Sequence, residues 1–315
     1  MFSFGKTESH PPIEKIGSIQ LFGTAERFGF RQLFSSFGFQ VRLLLKLETR
    51  NFLLFMNILI IADVVARPGR LAVLDKIQSL RDEYKIDIAT INAENVAGGF
   101  SITPAIADEF FANGVDLMTS GNHIFSKQEI IPYINKNSRL IRPANYPPGT
   151  PGNGLFIGEI NGYKIAALNL LGRVFMPPID DPFRAADEAI NSIPDDVKIR
   201  IVDMHAEATS EKYAMGWFLA GRVSVVFGSH THVQTADERI LEGGTAYITD
   251  VGMTGSYAGV IGMDRKQILE RFTKFPARRA EHAKGGVWIC AVVVEIEETT
   301  GQARKITRLR LEQPD

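Results

Sequence analysis

The stretch Asn57-Ile-Leu-Ile-Ile-Ala-Asp63 decides the fold. An unbroken apolar run this short reads as a strand covered on both faces, and it ends on a carboxylate. The period then changes: Leu71, Leu74, Ile77 and Leu80 recur at helical spacing within a segment running to Tyr84. A second run, Ile86 to Ala93, stops at Glu94-Asn95. Pro104 to Asn113 reads as a helix, with Thr103 as its N-cap and Gly114 as its stop. Val115 to Ser120 is a third strand, ending at Gly121-Asn122-His123. Apolar strands alternating with amphipathic helices indicate an α/β fold with parallel strands and crossover helices.

Farther along, Leu155 to Ile160 and Tyr163 to Leu170 read as a hairpin over Asn161-Gly162. Lys198 to Met204, Val223 to Phe227 and Thr245 to Thr249 read as strands, and Val287 to Glu297 and Ala303 to Leu311 as a closing hairpin. There is no internal repeat and no low-complexity linker. The expectation is one layered α/β domain over residues 56–315. Residues 1–55 differ: they are rich in Phe, Leu and Arg and keep neither strand nor helix period. Glu8, His10 and Glu14 spoil a signal-peptide pattern. This segment is expected to be peripheral: a family-specific extension, a weak membrane-surface anchor, or translation from a start upstream of Met56.

Composition narrows the function. Charged residues make up 23% of the 315, hydrophobic residues 45%, and the formal net charge is -1. That is ordinary for a soluble globular protein, and with no Lys/Arg run it disfavours a stable nucleic-acid complex. No stretch reaches the roughly 18 apolar residues of a membrane span. The single cysteine, Cys290, cannot form an internal disulfide and sits in an apolar strand, so it is expected to be inert and the protein cytoplasmic. The sequence leaves a homo-oligomer open.

The informative residues stand at the strand exits: Asp63, Glu94, Asn95, Asn122, His123, His205, His230 and His232. Ligands of open α/β sheets bind beyond such carboxyl ends. Four of the six histidines are there, whereas His10 and His282 lie in unremarkable polar surroundings. Taken singly, each has a bland reading. Asp63 reads as a helix cap, Glu94-Asn95 as a loop pair and Asn122-His123 as a turn. His205 reads as a satisfied core histidine. His230-Thr-His232 is a weak signal by itself, although in extended geometry both imidazoles point the same way. All these readings would have to hold at one end of one sheet, and a shared site outweighs that coincidence. Imidazole, carboxylate and amide ligands without thiolate suit Fe, Mn, Zn or Co. A bridging carboxylate suits two cations about 3.5–4 Å apart, and a histidine left off the metals can protonate a leaving oxygen.

The Asp63 strand end, Gly121-Asn122-His123 and Gly228-Ser-His-Thr-His232 resemble the calcineurin-like metallophosphoesterase superfamily. Ile91-Asn-Ala-Glu-Asn-Val-Ala-Gly-Gly-Phe100, Arg142-Pro-Ala-Asn-Tyr-Pro147, Asn169-Leu-Leu-Gly-Arg-Val-Phe-Met-Pro-Pro178, Asp203-Met-His-Ala-Glu-Ala-Thr-Ser-Glu211 and His230-Thr-His-Val-Gln-Thr-Ala-Asp-Glu238 are similar to its bacterial YmdB-type branch. The resemblance runs from about Met56 to the last strands. It implies a four-layer α/β/β/α sandwich and two metal ions, iron first and manganese second. Asp63, Asn95 and His232 would bind one metal, and Asn122, His205 and His230 the other. Glu94 would bridge them, and His123 would be the catalytic proton donor. The implied activity is phosphodiesterase action on 2′,3′-cyclic nucleotides. Where the family carries glycines around the first aspartate this chain has Ala62 and Ala66, and where it often has Thr-Trp-Asp after the histidine this chain has Ile124-Phe125-Ser126. No ligand is lost; rate and substrate preference are the properties these departures touch.

The expected reaction is in-line attack of a metal-bridging hydroxide on phosphorus, with His123 protonating the departing sugar oxygen. The altered residues keep one rival from another class: a metal-dependent regulatory protein that binds a nucleotide or partner with little turnover. A phosphomonoesterase or protein phosphatase on the same metal pair is a second enzyme reading, separated only by loops such as Gly98 to Thr103 and Asn145 to Gly154. Arg142 and Arg173 are candidate phosphate contacts, with structural salt bridges as the equal alternative.

Overall fold

The computed structural model describes residues 54–274 and 280–314. The expected extension therefore lies, up to residue 53, outside the described residues. The quoted stretch forms β1 (Phe55–Ile61) at the middle of a six-stranded sheet. It pairs in parallel with β2 (Ile88–Asn92), which pairs in parallel with β3 (Leu117–Thr119). A second six-stranded sheet contains β4 (Leu155–Ile160), β5 (Tyr163–Leu171), β6 (Ile199–His205), β7 (Val225–Ser229), β8 (Arg239–Leu241) and β9 (Thr245–Ile248), in the order β4-β5-β6-β7-β9-β8. Its β5, β6, β7 and β9 are mutually parallel. The chain returns to the first sheet through β10 (Gly255–Ser256), β11 (Val287–Glu297) and β12 (Ala303–Glu312), with β11 antiparallel to β1.

The unbroken apolar runs are explained by the packing. Met56, Ile58 and Ile60 of β1 face the second sheet, where Ile165, Ala167, Ile199, Ile201, Phe227 and Ile248 meet them. Leu59 and Ile61 face the other way, onto α1 (Ala66–Tyr84) and α2 (Pro104–Ala112) through Val73, Ile77, Leu80 and Phe110. On the far side of the second sheet, Ala166, Leu168 and Leu170 pack on α3 (Pro182–Asn191) and α4 (Thr209–Leu219) through Ala186, Ile190, Met215 and Leu219. Helix, sheet, sheet, helix: the layers are those of the expected α/β/β/α sandwich. Each core side chain so covered contributes about 1.5–3 kcal/mol relative to exposure. A further helix, α5 (Arg265–Thr273), has no buried residue.

The expected strands and both expected helices are present, with ends displaced by a few residues. Thr103 caps α2 as expected, its hydroxyl accepting from the N–H of Ile106. Four helices, the single turn Ile131–Ile134 among them, and two short strands were not among the expected elements. Helix α3 carried a start signal, since Asp181 accepts from the N–H groups of Phe183 and Arg184 ahead of Pro182. Helix α5 has a cap of the same kind, Asp264 accepting from the Gln267 N–H, but no apolar stripe, because nothing in it is buried. Asp63 is not a helix cap: Val65 occupies that position, without a side-chain cap. No helix among the described residues is long and apolar enough to cross a membrane.

Cys290 is buried in β11, and burial pushes its thiol above the ordinary range. Ellman's reagent at pH 8 should leave it unmodified in the native protein and label it on denaturation. Phe227 is fully buried between the sheets. Phe227→Ala should lower unfolding free energy in urea by about 3–5 kcal/mol.

Candidate metal centre

All eight strand-exit residues converge at one edge of the sandwich, where the carboxyl ends of β1, β2 and β3 meet those of β6 and β7. Asp63 is fully buried with φ at 44°. Its Oδ2 accepts from the backbone N–H of His230 at 2.7 Å, which ties the first sheet to the second. Its Oδ1 has no hydrogen-bond partner despite its burial, and lies 3.9 Å from His232 Nε2. His232 Nε2 is also 3.3 Å from the Asn95 amide. Asn95 in turn donates to Glu94 Oε1 at 3.0 Å. Glu94 Oε1 lies 3.0 Å from His205 Nε2, while its Oε2 accepts from the N–H of His123 at 3.0 Å. Around His205 Nε2 stand Asn122 Oδ1 and His230 Nδ1, each at 3.1 Å. The Asn122 amide reaches His123 Nε2 at 3.2 Å. Glu94, His205 and His230 present ligand atoms within 4.8 Å of one another.

Electrostatics show what such a site demands. Burial pushes the Asp63 carboxyl up to about 6, against the pull of His232 and His205. For Glu94 burial acts in the same direction, but His205 and the His123 N–H prevail and lower it to about 2. Burial opposes charge on His205 as well, yet Glu94 and Asp63 raise it to about 9. Burial and the neighbouring His205 depress His230 to about 3, and burial lowers His123. Two buried carboxylates thus draw positive charge onto the nearest imidazole. A bound cation would take over that role. Asp63 Oδ1, orphaned and facing imidazole and amide groups, is the observation that fits a metal to this set.

Backbone geometry makes the convergence feasible. A Cβ at Gly121 would collide with His205 Nε2 and Glu94 Oε2, so only glycine lets Asn122 and His123 approach so closely. The extended reading of the His230 turn is corrected: φ is 93° at His230 and 64° at His232. Both rings still enter the site, but from a strained turn rather than from alternation along a strand. Asp250 holds that turn, its Oδ2 accepting from the Thr231 N–H at 3.2 Å and from the Thr231 hydroxyl at 2.6 Å. The buried Lys212 ammonium, 2.6 Å away, neutralises it.

A second layer of side chains aims these groups. His205 Nδ1 lies 2.9 Å from Ser229 Oγ, which donates to Asp203 Oδ1 at 2.6 Å. Asn92 and Thr119 donate to the other Asp203 oxygen. With Nδ1–H given to Ser229, it is Nε2 of His205 that would offer its lone pair to a metal in place of a proton. Likewise His232 Nδ1 lies 3.3 Å from the Ile261 carbonyl. Sequence reasoning missed Asp203, Ser229, Asp250, Lys212 and Glu207, the last lying 3.1 Å from His230 Nε2. A signal existed for the first: Asp203 and His205 share a strand face, and His205 stands opposite Ser229 in the β6–β7 register. For the two arginines the structural alternative holds. The Arg142 guanidinium is spent on the carbonyls of Pro143, Ala144, Thr150 and Pro151. Arg173 pairs with Asp181 at 3.6 Å. Neither lines the cleft.

That cleft, about 620 Å³, opens over the centre. Glu94, Asn95, His123, Glu207, His230 and His232 form one wall. Phe100, Ile261, Met263, Ile268 and Phe272 supply an apolar side. Phe100 meets the His123 ring edge-on, with centroids 4.9 Å apart. It packs on the histidine from a loop of its own, whereas the expected acid is replaced by Ser126.

A model of the YmdB-like protein family matches residues 59–309. The chain belongs to that family. A 2′,3′-cyclic-nucleotide 2′-phosphodiesterase of Bacillus subtilis is 48% identical over 255 residues, covering 81% of this chain and 96% of the relative. Among solved structures, a hypothetical protein from Thermus thermophilus superposes with a TM-score of 0.77 at 39% identity, covering 82% of this chain and all (100%) of that one. A novel phosphatase from Mycoplasma pneumoniae superposes with a TM-score of 0.79 at 31% identity, covering 84% and 96%. The family assigned from the motifs and the sandwich fold it implied are both borne out.

Ser229→Ala removes the acceptor that orients His205. It should weaken metal affinity roughly 10–100-fold, read by chelator competition, with the fold intact by circular dichroism.

Proposed function

We propose that this chain is a metal-dependent phosphodiesterase acting on 2′,3′-cyclic nucleotides. The observation that carries the reading is the contiguous set of eight side chains to which Asp63, with its orphaned Oδ1, belongs. The Bacillus relative, named for that activity and spanned over nearly its whole length, supports the substrate class. The unit that carries the chemistry is residues 56–315.

The donor set suits two cations. Asp63, Asn95 and His232 would hold one, Asn122, His205 and His230 the other, with Glu94 shared. Oxygen and imidazole donors without thiolate favour iron, with manganese as the second choice. When bound, such a pair supplies an activated water and neutralises charge on phosphorus. The remaining steps belong to the protein. Asn122 and Glu94 hold His123 at the cleft wall through its ring nitrogen and its backbone N–H. His123, which is not among the ligands, gives a proton to the departing sugar oxygen. Phe100 and the apolar wall shield that transfer from bulk water and offer a face for a nucleobase. Ala66, at φ 53°, adopts the turn that the family makes with glycine, at about 1 kcal/mol of strain. The turn is thus kept and the site closes.

His123→Ala should lower turnover of 2′,3′-cyclic AMP by roughly 10²–10⁴ and leave metal content unchanged. Wild-type turnover in that variant would remove His123 from the reaction. Tight nucleotide binding without hydrolysis in the metal-loaded wild type would move the assignment to a regulatory binding protein.

A further inference from the structure

A second cavity, of about 610 Å³, adjoins the catalytic cleft. The two share the loop that follows the ligands: Glu94, Asn95 and Gly99 line the cleft, whereas Val96, Ala97 and Gly98 line the second cavity. Its ionisable lining consists of Arg67, Arg70, Lys127, His282 and Lys284, with no carboxylate among the residues that line it. In a chain of net charge -1 this concentration is not a sampling of the average surface. The five come from three separate stretches of sequence, so no Lys/Arg run announces them.

These groups are also underused. The side chains of Arg67, Lys127 and Lys284 have no ion pair or hydrogen bond among the described residues. Arg70 approaches Glu109 only to 3.7 Å, and its Nε is buried without a hydrogen-bond partner. His282 Nδ1 is likewise buried and unpartnered. This histidine, expected in unremarkable surroundings, packs its ring against Gly99, beside the loop that carries Glu94 and Asn95. Ala66, Arg67 and Pro68, the first turn of α1, stand at the cavity wall. That 19-residue helix has no side-chain cap and no acidic residue in its first turn, so its positive end is not offset there. Unpaired guanidinium and ammonium groups, two buried nitrogens without a hydrogen bond and an open helix end share one complement: a tetrahedral oxyanion.

We propose that this cavity is a phosphate-binding site, separate from the metal centre and adjoining it. Two sources offer that chemistry. One is a second phosphate of the substrate itself, as in a 2′,3′-cyclic nucleotide that also carries a 5′-phosphate. The other is free inorganic phosphate. The cavity argument does not depend on the phosphodiesterase reading; only the choice of the first source rests on it.

The test uses the full metal-loaded chain in two arms. In the first, inorganic phosphate is titrated calorimetrically into the wild type, Arg67→Ala/Lys284→Ala and Lys127→Ala. All three altered side chains lie away from the core, with Arg67 and Lys284 exposed and Lys127 partly so. Lys136→Ala/Lys305→Ala, at exposed positions outside the cavity, controls for general loss of charge. The wild type and the control should take up one more phosphate per chain than the double variant, and Lys127→Ala should bind it roughly tenfold more weakly. Equal uptake in the wild type and the double variant would overturn the proposal, whatever the kinetics show. In the second arm, kcat/KM is compared for 2′,3′-cyclic AMP with and without a 5′-phosphate. A roughly tenfold preference for the phosphorylated form, lost in the double variant, assigns the site to substrate. No preference, with the stoichiometry as expected, assigns it to free phosphate. Hydrolysis of neither nucleotide would sink the phosphodiesterase reading, and the titration would still decide the cavity.

Discussion

Two carboxylates buried at one edge of a sandwich set the terms for everything around them. Asp63 and Glu94 are removed from water, and a buried carboxylate persists as a charge only beside donors and cations. The protein supplies backbone N–H groups from His230 and His123, one to each. It supplies an imidazole, His205, whose affinity for a proton rises in response. It still leaves Asp63 Oδ1 without a partner. The fold has prepared a place for positive charge that the chain does not itself fill.

Satisfying those carboxylates requires both sheets. Asp63 and Glu94 follow strands of the first, His205 and His230 strands of the second, and the interface between the sheets is a continuous apolar layer. Packing of that layer therefore fixes the distance between these side chains, since neither sheet can slide without opening it. The local adjustments are concentrated at the edge. Asp63, Ala66, His230 and His232 all have positive φ, and Gly121 admits no side chain. Strain gathered where chains must meet around a ligand is the pattern of a functional site rather than of a loosely folded loop.

How much of this was legible depended on the kind of signal. Strands buried on both faces announce themselves as short apolar runs, so the exits carrying Asp63, Glu94-Asn95 and His205 could be placed from the sequence. Helix α3 was readable from Asp181-Pro182 and went unread; α5 offered only the Asp264 cap and no apolar stripe, because it buries nothing. The positive φ of His230 and His232 has no sequence marker, since the turn is imposed by Asp250 from another strand end. Ser229 reaches His205 only through strand register, a long-range property. The basic cavity was hidden for the same reason: Arg67, Lys127 and Lys284 are neighbours only after folding.

The most direct test of the account is a count of metal ions per chain, made by elemental analysis alongside hydrolysis of 2′,3′-cyclic AMP over a series of iron or manganese loadings. The account predicts that occupancy saturates at two ions per chain and that activity rises with the filling of both. Full activity at no metal or at a single ion per chain would contradict it, because the eight converging residues would then be serving some other purpose.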